Sequence, residues 1–145
     1  MFASNEDIQV WLKEGMITVN DALAAKPNIE AQRTIKGQLS GVFSALTISS
    51  WADPTTTPEL IRSVAGRLAA AFLYRNLAES ESDEVSPYAQ ELYNEAIIVL
   101  GQIRTGEITV TDSSNDPIDS TGVNLLSFYP DNTVAPKFTM DQEFA

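Results

Sequence analysis

The 145-residue chain has no histidine and no cysteine. Without cysteine it has neither disulfides nor thiolate metal sites. Without histidine it lacks the commonest general base, the commonest metal ligand and any Ser-His or Cys-His nucleophile pair. Only carboxylate or lysine chemistry would remain, and these absences point away from an enzyme and from a resident metal or cofactor. Basic residues are scarce too: nine lysines and arginines face twenty acids, a formal net charge of −11. Such a field repels phosphate and argues against nucleic-acid wrapping, while it favours solubility. No apolar run reaches the length of a membrane span. The strongest one, from Leu68 to Tyr74, is closed by Arg67 and Arg75. The N-terminus lacks a basic region followed by an apolar stretch, which predicts no signal peptide and a cytoplasmic chain. No block of sequence repeats.

What is present reads as helix. The length fits one domain, or a smaller domain with arms. Ser4 is placed to cap a short first helix, with Glu6 and Asp7 in its first turn. Ile8, Trp11 and Leu12 share one face, and Gly15 ends it. A linker containing Asn20, Asp21, Lys26 and Pro27 follows. The stripe Ile35, Leu39, Val42, Phe43 and Leu46 predicts a second helix over 28–46. Gly37 and Gly41 lie within a turn of that stripe, which predicts close approach of another helix there. Residues 48–58 read as a loop with Trp51 as a lid over the core.

The third helix is the clearest. Thr57 caps, Pro58 opens and Glu59 follows. Leu60, Ile61, Val64, Leu68, Ala71, Phe72 and Arg75 line one face, and Ala65, Gly66, Ala69 and Ala70 keep the rest small. A helix apolar nearly all round is central. The acidic connector ESESDE then leads to a fourth helix, capped by Ser86 and opened by Pro87. Tyr88, Leu92, Ala96, Val99 and Ile103 form its stripe, widened by Tyr93, Ile97 and Leu100. Gly106 stops it. The expected fold is therefore mainly α: a small bundle of about four helices over 1–106.

After Gly106 the texture changes. Residues 107–111, EITVT, alternate and are β-branched, which predicts a short strand or hairpin segment. The remainder to residue 145 reads as an extended acidic arm. Residues 107–145 hold seven acids and one base, Lys137. The arm ends in FYPDNTVAPKFTMDQEFA. Pro130 and Pro136 keep it extended, and its aromatics are what a partner's groove or sheet edge captures. Phe128, Tyr129, Lys137, Phe138 and Phe144 are the candidate partner-binding residues.

No other constellation carries chemistry. Asp112 to Asp116 starts like a calcium loop, but Pro117 and Val123 stand where glycine and an acid are needed. It reads as an acidic turn. Glu91/Glu95 and Asp83/Glu84 read as solvated pairs. Arg62, Arg67 and Arg75 could pair with a neighbouring helix or a neighbouring subunit.

Two stretches carry a resemblance. TPELIRSVAGRLAAAFLYRNL ends in Tyr74-Arg75, and YAQELYNEAIIVLGQIRTGEITV spaces Tyr93, Ala96, Leu100, Ile103 and Gly106 as Y-x-x-A-x-x-x-L-x-x-I-x-x-G. Over residues 28–110 this pattern resembles the head–tail adaptor (connector) proteins of tailed bacteriophages, in particular their Mu-like branch. The resemblance implies a helical bundle with terminal arms, assembled in the host cytoplasm into a ring, often dodecameric, at the head–tail interface of the virion. It implies three kinds of partner: the portal protein, neighbouring copies, and the next neck or tail protein. The genome would pass through the channel without specific binding, which a negative lumen favours. Two other readings compete. One is a different neck part, a stopper or tail-completion protein, which would be richer in strands. The other is an acidic DNA-mimic inhibitor, which would carry acids at phosphate-like spacing on the bundle itself.

Overall fold

The computed structural model describes residues 1–13, 17–81 and 87–118, with side chains omitted for 78–81. Five helices are present among them: α1 (Asn5–Gln9), α2 (Asp21–Leu39), α3 (Ala45–Ser50), α4 (Glu59–Glu81) and α5 (Pro87–Thr105). The mainly α bundle is as expected. Its fifth member, α3, takes its first residues from the end of the expected second helix and its last from the expected loop.

Helix α4 is the axis. It packs against α1, α2 and α5, and α2 also meets α5. Ile61, Val64, Ala65 and every residue from Leu68 to Tyr74 are buried. The small side chains between the large ones let three helices approach at once. Against α4, α2 buries Ala24, Ala31, Ile35 and Leu39, and α5 buries Ala89, Leu92, Ala96, Leu100 and Ile103. Each fully buried large apolar side chain contributes about 1.5–3 kcal/mol. The α5 stripe centres on Leu100 rather than on Val99, which is only partly buried.

Asp7 ties helix α1 to α4 through polar contacts. Ser4 and Asp7 form a capping box: Asp7 N donates to Ser4 Oγ at 3.2 Å, and Ser4 N and Oγ each donate to Asp7 Oδ2 at 2.7 Å. Asp7 Oδ1 accepts from Arg62 Nη2 at 3.1 Å. Arg62 Nη1 reaches Pro54 O at 3.3 Å, so one guanidinium joins α1, α4 and the turn before α4. Burial alone would raise the Asp7 carboxyl. The hydrogen bonds from Ser4 and the Arg62 guanidinium outweigh it and hold the group below its ordinary value of 3.8. Its stabilisation is then present in full above pH 3.8 and is lost as pH falls through the lower folded-state value. Asp7→Asn is expected to cost about 1–2 kcal/mol at neutral pH. Urea titrations at descending pH should show the gap to wild type closing below pH 3.8. A gap that widened in acid would contradict this account.

Several local expectations are corrected. The 20–27 segment is not a linker. Asn20 caps α2 by accepting from Leu23 N at 2.9 Å, and Lys26 and Pro27 lie within the helix. The buried Pro27 ring and the neighbouring Asn28, whose Nδ2 donates to Ala3 O at 2.8 Å, hold this turn against the N-terminal segment. Packing here outweighs the lost N–H of proline. At its other end α2 stops at Leu39, not at 46, and Ser44 starts α3 by capping Thr47 N at 3.1 Å. The break resets the helical phase, so Leu46, placed on the buried stripe by the sequence, is 85% exposed. Thr57 does not cap α4; its Oγ1 donates to Asp53 O at 2.7 Å, closing the preceding turn. Gly37 and Gly41 face open space, with nothing within 4 Å of a Cβ at either. The close approach is at Gly66.

No strand forms among the described residues. Residues 107–111 instead enter a tight turn closed by a single antiparallel bridge between Thr111 and Pro117. Pro117 has no N–H to extend a ladder. Asp112 Oδ1 accepts from Ser114 N at 2.8 Å and from Asp116 N at 3.0 Å, and Asn115 takes φ +63°. The acidic run is therefore a side-chain-closed turn.

Candidate functional site

The five arm residues singled out by sequence, Phe128, Tyr129, Lys137, Phe138 and Phe144, lie outside the described residues. The structure does give the root of that segment. Gly106 adopts φ +83°, the left-handed conformation that ends α5 at low cost for glycine. Ile108 N then returns to Gln102 O at 3.2 Å. Val110 is buried in the helical core, and Ile118 N donates to Val110 O at 2.8 Å. The arm thus starts from a fixed point at the C-terminal end of α5.

The basic residues of α4 find partners within the chain. Arg67 lies 3.6 Å from Glu95 of α5, and its guanidinium stacks 4.2 Å from the centre of the Trp11 ring. Sequence reading left open whether these arginines pair with a neighbouring helix or another subunit; Arg62 and Arg67 both meet helices of their own chain. Glu95 is accordingly one half of an ion pair across α4 and α5.

Around Trp11 a set of aromatic and cationic groups was not legible in the sequence. Tyr88 Oη donates to Trp11 O at 2.8 Å, and Lys13 N donates to Tyr74 Oη at 2.8 Å. The two tyrosine rings meet edge to face at 5.7 Å, with Lys13 Nζ 5.0 Å from the centre of the Tyr88 ring. Burial, with Tyr74 alongside, pushes the Tyr88 phenol above its ordinary value of 10.0. This arrangement staples the turn after α1 to the facing ends of α4 and α5. The one hint in the sequence was that both helices place a tyrosine beside the acidic connector.

Near that same end lies a pocket of about 250 Å³ between α4 and α5. Ala71, Phe72 and Arg75 line it from α4, and Ala89, Gln90 and Tyr93 from α5. Phe72 and Tyr93 stand 6.0 Å apart, and the Arg75 guanidinium lies 5.9 Å from the centre of the Phe72 ring. Its floor is aromatic and alanine, and its rim carries one cation and one amide. At this size it lies below the range that holds a drug-sized ligand. Among the described residues no group of three or more acidic side chains converges on a metal position, and no helix is long and apolar enough to cross a membrane.

Comparison with family models, with curated proteins and with solved structures returns no match for this chain.

Proposed function

We propose that this protein is a structural subunit of a tailed-phage neck: an adaptor that binds the portal, joins copies of itself in a ring and presents a surface to the next neck or tail protein. The observation that carries this reading is how the helices spend their apolar faces. The stripes of α1, α2, α4 and α5 meet one another in one continuous core. We read the four aromatics of 128–145 as anchors for a partner, since the described helices already bury their apolar stripes against one another. A helical bundle with an acidic, aromatic-tipped arm fits the pattern resemblance over 28–110, and it fits a part whose work is contact rather than catalysis. With eleven net negative charges, a ring of such subunits would let DNA pass without holding it.

The test is direct. Mass measurement of the full chain alone and with purified portal protein is expected to show co-assembly. Deleting residues 127–145 is expected to leave helix content unchanged by circular dichroism and to abolish incorporation onto portal. Retained portal binding by the shortened chain would sink the assignment of the arm.

A further inference from the structure

Helix α2 turns one face to solvent, and that face runs against the charge of the chain. After Asp21 its only acid is Glu30, half-buried, whereas Lys26, Arg33 and Lys36 are all exposed. The helical period gathers these three cations and Ile29, itself 42% exposed, within about a quarter of the helix circumference. None of the three has an ion-pair partner among the described residues; Lys36 Nζ stands 5.8 Å from the centre of the Phe2 ring. The outer face of α5 is the counterpart. Residues 91–102 hold no base, and Glu91, Glu95 and the 60% exposed Ile98 share one side of the helix. Glu95 keeps half of its side chain exposed beside Arg67. Each face also has a bare spot, since a Cβ at Gly37 or at Gly101 would meet nothing within 4 Å.

We propose that the α2 face of one copy packs against the α5 face of a second copy, the two helices antiparallel and Ile29 over Ile98. The spacing sets this register. At 1.5 Å per residue, Arg33 and Lys36 lie roughly 6 and 10.5 Å beyond Ile29, and Glu95 and Glu91 lie roughly 4.5 and 10.5 Å before Ile98. Run antiparallel, the two cations meet the two carboxylates. Lys26 then falls opposite Gly101, where its stem has room. Run parallel, Arg33 and Lys36 would meet Gln102 and Thr105, and only Lys26 would reach an acid. Within one chain the contact does not form, because α2 and α5 are held by their inner faces on α4 and on each other. What singles out α5 as the occupant is an exposed isoleucine with acids on one side of it, spaced to match the cations on one side of Ile29. The two faces differ, so the contact is heterologous, and such contacts repeat until a ring closes. The inference rests on the ring-forming reading above and names the faces that would join its subunits.

Sedimentation velocity over a wide concentration series tests it with full-length protein. Ile29 and Ile98 are exposed, so their substitution should leave the helix content measured by circular dichroism unchanged. Wild type is expected to associate beyond the dimer as concentration rises. Ile29→Glu sets an acid against the α5 acids, and Ile98→Lys sets a cation against the α2 cations. Each should weaken association about tenfold or more. An equimolar mixture of the two variants should associate beyond the dimer again, because one of its contacts gains an ion pair at the centre and the other is wild type. Leu46→Lys, at the 85% exposed position of α3, should change nothing. Nor should Asp131→Asn, Asp141→Asn and Glu143→Gln combined, which strip acids from the arm. A wild type that stays monomeric or stops at a dimer overturns the proposal. So does unchanged association in either isoleucine variant, a mixture that fails to recover, or equal weakening by Leu46→Lys. Association lost with the arm acids would make the arm the occupant of the α2 face, and portal binding lost in Ile29→Glu while association stands would give that face to portal; either result overturns it too. Portal binding by wild type separates the two ideas. A wild type that binds portal while both isoleucine variants associate like it removes only this contact; a wild type that associates as expected but ignores portal removes only the adaptor reading.

Discussion

Trp51→Ala is expected to cost about 3–5 kcal/mol, a large share of the 5–15 kcal/mol that holds a typical domain folded. Trp51 is only 4% exposed although it stands outside any long helix. It follows α3 as that helix's C-cap, and its ring meets Phe43 edge to face at 5.5 Å and Phe2 at 6.0 Å. These contacts tie three segments that share no hydrogen-bond ladder: the N-terminal residues, the turn between α2 and α3, and α3 itself. Removing the indole deletes its own transfer free energy and leaves a void that six-residue α3 cannot fill without moving. Urea denaturation followed by circular dichroism measures the loss directly. Leu46→Ala is the matched control, one turn away but exposed, and should change stability by no more than about 0.5 kcal/mol. In a double-mutant cycle with Phe43→Ala, a coupling of about 0.5–1.5 kcal/mol is expected beyond simple burial. A loss below about 1 kcal/mol for Trp51→Ala would show that the lid closes over nothing the fold requires.

That Trp51 covers the core was legible from an aromatic residue beside a helix end, and α4 was legible from its period and its small residues. Helix boundaries were not, because they turned on competitions that periodicity does not weigh. Pro27 reads as a breaker, yet its buried ring and the Asn28 bond to Ala3 keep it inside α2. The apolar spacing runs on smoothly from Leu39 to Leu46, yet Ser44 offers a second cap and the chain takes it. The alternation at 107–111 is real but has no partner strand among the described residues: the chain returns through Pro117, which cannot donate, and Asp112 draws nearby N–H groups into a turn. The α4–α5 pocket was invisible because its lining comes from two helices whose stripes were read separately. The tyrosine–lysine–tryptophan staple was invisible for a related reason. Its hydrogen bonds to Trp11 O and from Lys13 N go to backbone atoms, which carry no sequence signature.

Glycine gives the sharpest case, because position decides the sign. In an exposed helix interior Ala is favoured over Gly by about 0.8–1 kcal/mol. Gly37 is such a site: it lies in α2, and a Cβ there meets nothing within 4 Å. Gly37→Ala is therefore expected to stabilise the protein by about that amount. Gly66 has the same intrinsic preference and the opposite outcome. A Cβ at Gly66 would stand 2.5 Å from the carbonyl oxygen of Asp7 and 2.9 Å from its carbon. Both are backbone atoms, so no side-chain rotation relieves the overlap. Helix α1 must lift off α4, and the Asp7 carboxylate that Arg62 holds at 3.1 Å moves with it. Gly66→Ala is expected to destabilise by about 1–3 kcal/mol, the range for forcing one extra methyl into a packed interface, after its helix-propensity gain is offset. The Asp7 ion pair supplies a second readout. If α1 is displaced, Gly66→Ala and Asp7→Asn remove overlapping interactions, and the double variant should lose less than the two single losses combined. Fully additive losses would place the cost of the methyl group elsewhere in α4, and a Gly66→Ala protein as stable as Gly37→Ala would mean that α1 does not cross α4 at this residue.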